Sequence, residues 1–210
     1  MNIAILGTGR VGGALGSRWA RNGHQVIYGV RDPNSNEVQS VLEKSGPNAS
    51  VSSVKDAAAA GEIILLAIPW NVTKEILAAI APLDGKILID CINPIKSDFS
   101  GLDPEAAPSA TAQIVAAAPG AKVVKAFNTV GDATMVNPRF DEQKAAMFYC
   151  GDDAEAKSVV HQLTAELEMD PIDAGPLKNA AHLESLAMLY IHLAIFEGWG
   201  GDCAFRFVKR

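Results

Sequence analysis

The chain has 210 residues, 49% hydrophobic and 20% charged, a composition that supports one large globular core with room for a small appendage. Its 18 Lys+Arg against 24 Asp+Glu give a formal net charge of -6, which excludes a broad basic field for nucleic acid or anionic membrane. Cys91, Cys150 and Cys203 stand far apart with no C-x-x-C spacing, so reduced thiols are expected rather than a disulfide framework or a metal site.

Met1 runs directly into "NIAIL" without a leader-like pattern, and the most apolar run, "EIILLAIPW", is too short to cross a bilayer. The expectation is a soluble, cytoplasmic protein. Short continuous apolar runs predict buried parallel strands at Asn2–Leu6, Gln25–Gly29, Glu62–Ala67, Lys86–Asp90 and Lys122–Phe127. Helical stretches alternate with them at Arg10–Asn22, Asn34–Ser45, Val54–Ala60, Val72–Ala81 and Ala110–Ala118. This rhythm predicts an α/β, Rossmann-like, doubly wound and mostly parallel sheet, with its ligand edge at the strand C-termini. Further on, Ala145–Cys150 and "DPIDAG" read as strands around the helical "DDAEAKSVVHQLTAELE". The longest helix, "LKNAAHLESLAMLYIHLAIFEG", is apolar around most of its circumference and suits burial or a homodimer interface. The organisation expected is an NADP-binding domain over residues 1–127 and a small α+β substrate-binding and dimerisation extension over 128–210.

"GTGRVGG" places Gly7, Gly9 and Gly12 in a G-x-G-x-x-G pattern between a predicted strand and a predicted helix, the context that turns a weak motif into a dinucleotide-binding loop. Gly7 permits the turn, Gly9 lets a pyrophosphate approach the backbone, and Gly12 allows close helix–strand packing. The amides of Gly9, Arg10 and Val11 then face the phosphates at the positive end of the helix. At the end of the second strand, "YGVRDP" has Val30 where an NAD enzyme carries a carboxylate. Arg31 follows, a planar fork suited to a 2′-phosphate and to stacking on adenine, with Thr8 offering a hydroxyl to the same phosphate. NADP(H) is the expected cofactor.

The loops "AIPWN", "DCINP" and "AFNTV" follow strands on the same edge and are expected to border the nicotinamide. Cofactor contacts are assigned to Ala67, Ile68, Pro69, Asn93, Ala126 and Asn128, where turn formation or capping competes as a role. Trp70 and Thr129 are candidates to face a second ring. His182 and His192 lie ten residues apart, about 280° around one helix, and so do not form a metal pair. No catalytic side chain is assigned, because hydride transfer between two stacked rings requires orientation rather than a dedicated acid or base.

"LLAIPW", "IDCINP", "VVKAFNTV", "CGDDAEAK" and "DAGPLKNAAHLESLAMLYIHLA", taken with the glycine loop and "GVRDP", resemble NADPH-dependent 8-hydroxy-5-deazaflavin (coenzyme F-420, or F420) reductases and the cytosolic domains of six-transmembrane metalloreductases. The resemblance spans nearly the whole chain. It implies an NADP-dependent oxidoreductase that exchanges hydride with F420 or a flavin, a small-molecule redox partner. The second ring would sit among Ala126–Thr129, including Phe127, the Asp173–Leu177 turn with Leu177, and the C-terminal segment with Trp199. Two other readings are an NADP(H)-binding redox sensor without turnover and a reductase of a small carbonyl or imine.

Overall fold

The computed structural model describes residues 1–210. In chain order the elements are β1 (Asn2–Leu6), α1 (Arg10–Arg21), β2 (Gln25–Val30), α2 (Asn36–Ser45), β3 (Ala49–Ser53), α3 (Val54–Ala60), β4 (Ile63–Leu66), α4 (Thr73–Ile80), β5 (Ile87–Asp90), α5 (Ala110–Ala117) and β6 (Lys122–Lys125). Then follow α6 (Asp132–Val136), the small hairpin β7 (Arg139–Phe140) and β8 (Gln143–Lys144), β9 (Ala146–Gly151), α7 (Ala154–Glu166), β10 (Asp170–Asp173) and α8 (Ala180–Ile195). Eight strands form one sheet in the order β10-β9-β6-β5-β4-β1-β2-β3. The six strands from β3 to β6 in that order are parallel and have the doubly wound order of a Rossmann sheet. β9 joins β6 antiparallel, and β10 lies parallel to β9.

β1 shows why the apolar runs are continuous. Successive side chains leave a strand on opposite faces. Ile3 and Ile5 enter one core with Leu15, Trp19 and Phe127, while Ala4 and Leu6 enter the other with Ala57, Leu77 and Ile114. Both faces are covered, so both alternations must be apolar. Trp19 is fully buried, and its indole N–H donates to the Leu163 carbonyl at 3.2 Å, tying α1 to α7. β3, "ASVSS", was not among the predicted strands. It is an edge strand with no fully buried residue, so it lacks the apolar run that marks its neighbours.

β6 ends two residues earlier than its apolar run suggests. Phe127 has φ +59, which takes the chain out of the strand and turns its ring into the core against Trp19, with centroids 5.5 Å apart. α8 buries a stripe of Ala180, Leu183, Glu184, Ala187 and Tyr190 and leaves Leu189, Ile195 and Phe196 exposed. Beyond it the chain folds back: the Tyr190 hydroxyl donates to the Gly201 carbonyl at 3.0 Å, and the Ala146 amide donates to the Phe205 carbonyl at 2.9 Å. No helix is long and apolar enough to cross a membrane.

Candidate functional site

The glycine loop joins β1 to α1. Gly7 has φ +104, and a Cβ there would stand 2.3 Å from the Ala67 carbonyl oxygen. A Cβ on Gly12 would meet the Gly7 carbonyl oxygen at 2.2 Å, so any side chain at either position forces the loop open. Gly9 differs. Nothing lies within 4 Å of its Cβ position, which leaves that face of the loop bare for a ligand to approach. The first-turn amides of α1 have no intrahelical partners and form an anion cradle at the end of a 12-residue helix.

The loop opens into a cleft of about 550 Å³ between the C-terminal ends of β1, β2 and β4 and the starts of α2 and α4. Seven predicted residues line it together: Gly7, Thr8, Gly9, Arg31, Ala67, Ile68 and Pro69. Val30, Val38, Val54 and Ile76 give it an apolar slot of the kind an adenine fills. Arg31 is exposed at its rim. Asp32 turns back on its own loop, accepting the Asn34 amide at 3.0 Å. Glu37, which the sequence reading passed over, reaches the rim from the first turn of α2 and accepts the Thr8 hydroxyl at 3.0 Å. The clue was available in Ser35, which caps α2 by accepting the Val38 amide and so sets Glu37 beside the loop. On the other side of the loop, Arg10 is largely exposed and pairs with Asp132 at 2.8 Å. Val11 and Gly12 contribute the helix start itself.

A second group gathers at the ends of β5 and β6. The Asn93 side-chain amide donates to the Asn128 carbonyl at 2.7 Å, and the Asn128 amide donates to Asn93 Oδ1 at 2.9 Å and to the Leu183 carbonyl at 3.1 Å. The two asparagines thereby lock the loops to each other and to α8. Asn128 Oδ1 and Thr129 Oγ1 are buried without any hydrogen-bond partner. Buried polar atoms are normally satisfied, so an acceptor and a hydroxyl left open at a strand end are expected to meet a ligand or water.

Beneath them lies a buried ion cluster. Lys125, with no exposed surface, bonds Asp90 at 3.1 Å, Glu184 at 3.3 Å and the Ile92 carbonyl. The second carboxylate is balanced by the N-terminus of α5: the Ala110 and Thr111 amides each reach Glu184 at 3.3 Å, and the Thr111 hydroxyl donates to Asp90 at 2.6 Å. Nearby, burial pushes the Cys91 thiol up to about 12, which keeps it a neutral donor to the Leu66 carbonyl.

The remaining predicted residues do not converge on one place. Trp70 lies in a groove between α4 and α5 with Leu77 and Ile114. Phe127, expected to face a substrate, is 1% exposed and belongs to the core. Ala126 is likewise buried. Leu177 packs near Cys150 at the start of α8, whereas Trp199 is exposed beyond its far end. The length of α8 puts roughly 22 Å between those two ends, so a single small ring does not touch both.

Strand order and glycine cradle define a dinucleotide-binding protein of the Rossmann class. Residues 2–94 match the family described as "NADP oxidoreductase coenzyme F420-dependent". The F420-dependent NADP reductase of Methanothermobacter thermautotrophicus is 30% identical over 209 residues, covering 93% of this chain and 90% of that protein. A solved structure from Arthrobacter sp. FB24, whose proposed assignment is F420-dependent NADP reductase, superposes with a TM-score of 0.89 at 32% identity and 100% coverage of both chains. Metalloreductase STEAP3 of Rattus norvegicus is 26% identical over 89% of this chain, which spans only 36% of that longer protein. The chain belongs to the F420-dependent NADP oxidoreductase family and is an NADP-dependent oxidoreductase.

Proposed function

We propose that the chain exchanges a hydride between NADP(H) and a deazaflavin or flavin, with F420 the first candidate. NADP(H) along the glycine loop would have its pyrophosphate on the Gly9–Val11 amides and its 2′-phosphate on the Arg31 guanidinium, the Thr8 hydroxyl being given to Glu37. The nicotinamide supplies the hydride. Written for F420, NADPH gives H⁻ and solvent gives H⁺, yielding NADP⁺ and the two-electron-reduced deazaflavin.

The observation that carries this reading is that no tyrosine or histidine lines the glycine cleft or bonds the Asn93–Asn128 pair, and that the one ammonium beneath the pair, Lys125, is closed off by Asp90, Glu184 and the Ile92 carbonyl. All three tyrosines are engaged: Tyr28 with Ser45, Tyr149 with His161, and Tyr190 with the Gly201 carbonyl. Of the four histidines, His24 bonds Glu166, His161 bonds Tyr149 and His192 pairs with Glu197, while His182 lies on the exposed side of α8. Reduction of a carbonyl or imine calls for a positioned acid; exchange between two planar rings does not. Asn128 Oδ1 and Thr129 Oγ1 supply what ring exchange needs, fixed polar points that orient a carboxamide or a ring edge.

NADPH oxidation with F420, FMN, FAD and ferric chelates offered in turn tests the proposal. Turnover with F420 or a flavin is the expected result. Tight NADP⁺ binding with no acceptor above background would refute it and leave a sensor of the NADP redox state.

A further inference from the structure

The cleft that receives the adenosine end carries one cation, Arg31, and three carboxylates, Asp32, Glu37 and Glu75. A pocket shaped only for the extra phosphate of NADP would not hold that balance. Asp32 is occupied with its own turn. Glu37 is not: its one protein partner is the Thr8 hydroxyl, at 3.0 Å, and its second carboxylate oxygen is free. Thr8 has a single hydroxyl proton and gives it to Glu37, so in this arrangement Thr8 cannot also donate to a phosphate.

The geometry points to Glu37 as a second specificity-determining residue, the acceptor for an adenine-ribose hydroxyl, through which the cleft takes NAD(H) as well as NADP(H). A carboxylate accepts hydrogen bonds from ribose hydroxyls and repels a 2′-phosphate. In this chain β2 ends on Val30, and the carboxylate arrives instead from α2. Two opposed determinants then share one rim. Arg31 favours the phosphorylated dinucleotide. Glu37 favours the unphosphorylated one and holds Thr8 toward itself. The inference rests on the dinucleotide reading of the cleft and is independent of which acceptor the enzyme uses.

Calorimetry with NADP⁺ and NAD⁺ on the full chain and on Glu37→Gln tests it, with no acceptor present. The wild-type protein is expected to bind both, NADP⁺ the tighter by no more than about a hundredfold. Removing the charge is expected to tighten NADP⁺ and weaken NAD⁺, so that their ratio grows by about tenfold at low salt, with the gain for NADP⁺ shrinking as salt rises. Arg31→Gln is expected to move the ratio the other way. If Glu37→Gln leaves the ratio within about twofold of wild type while NADP⁺ still binds, the role of Glu37 is overturned and the cofactor reading stands. If the wild-type protein binds neither dinucleotide, both fall together.

Discussion

Lys125→Met isolates the buried cluster that supports the Asn93–Asn128 pair. The substitution keeps a long apolar stem of similar reach but deletes the ammonium group. Asp90 and Glu184, whose side chains are 0% and 2% exposed, then face each other with no cation between them. Breaking a buried pair by removing one partner costs about 3–5 kcal/mol, far above the roughly 0–1 kcal/mol of a surface pair. For a chain of this size that loss lowers Tm by about 6–20 °C. Urea unfolding followed by tryptophan fluorescence reads it, since Trp19 is buried against Phe127 and reports the core. Adding Glu184→Gln removes one of the two stranded charges and is expected to recover part of the loss, giving a non-additive cycle. NADP⁺ affinity should change little, because Lys125 lies outside the glycine cleft, while turnover falls with the loosened asparagine pair. A loss under about 1 kcal/mol, or strictly additive variants, would refute the account of the cluster.

Arg31→Glu is expected to weaken NADP⁺ by about a hundredfold and to leave NAD⁺ little changed, measured by calorimetry at fixed salt; equal losses for both would remove Arg31 as the phosphate ligand. Gly12→Ala puts a methyl 2.2 Å from the Gly7 carbonyl oxygen, so dinucleotide binding should be lost, and retention of wild-type affinity would contradict the role given to the loop. A third expectation concerns alkaline pH. Burial raises the thiols of Cys91 and Cys150 from 9.0 to about 12, and the Tyr28 hydroxyl from 10.0 to about 12. Between those values the folded chain keeps protons that the unfolded chain releases. The contribution of these groups is therefore intact below pH 9 and lost as pH rises toward 12. Urea midpoints measured at rising alkaline pH should fall, and a flat profile would count against the burial of these groups.

The cofactor half of the molecule was legible in the residues themselves. A glycine at each crowded turn and an apolar run for each doubly covered strand leave few alternatives. The part built on Asn93, Asn128 and α8 was harder to read because its contacts are long-range. Nothing near Asn128 announces that its side chain bonds the carbonyl of Leu183, and nothing near Lys125 announces Glu184. Phe127 illustrates the same limit. The predicted strand ran through it and the family resemblance placed its ring at the second site, whereas its left-handed backbone sends that ring inward against Trp19. Glu37 escaped notice because a carboxylate in a first helical turn has a sufficient local explanation in the helix dipole. β3 was hidden by its position at the sheet edge.

The stitching of α8 to the β5 and β6 loops bears on the order in which the protein matures. The bonds from Asn128 to Leu183 and from Lys125 to Glu184 close over separations of 55 and 59 residues, whereas all six parallel strands, β1 to β6, precede α8 in the chain and leave the ribosome first. A nascent chain can thus assemble its glycine cradle while the contacts of α8 with the β5 and β6 loops are still unmade. During that interval a captured dinucleotide would act as a folding ligand, steadying the six parallel strands until α8 arrives to lock the Asn93 and Asn128 loops.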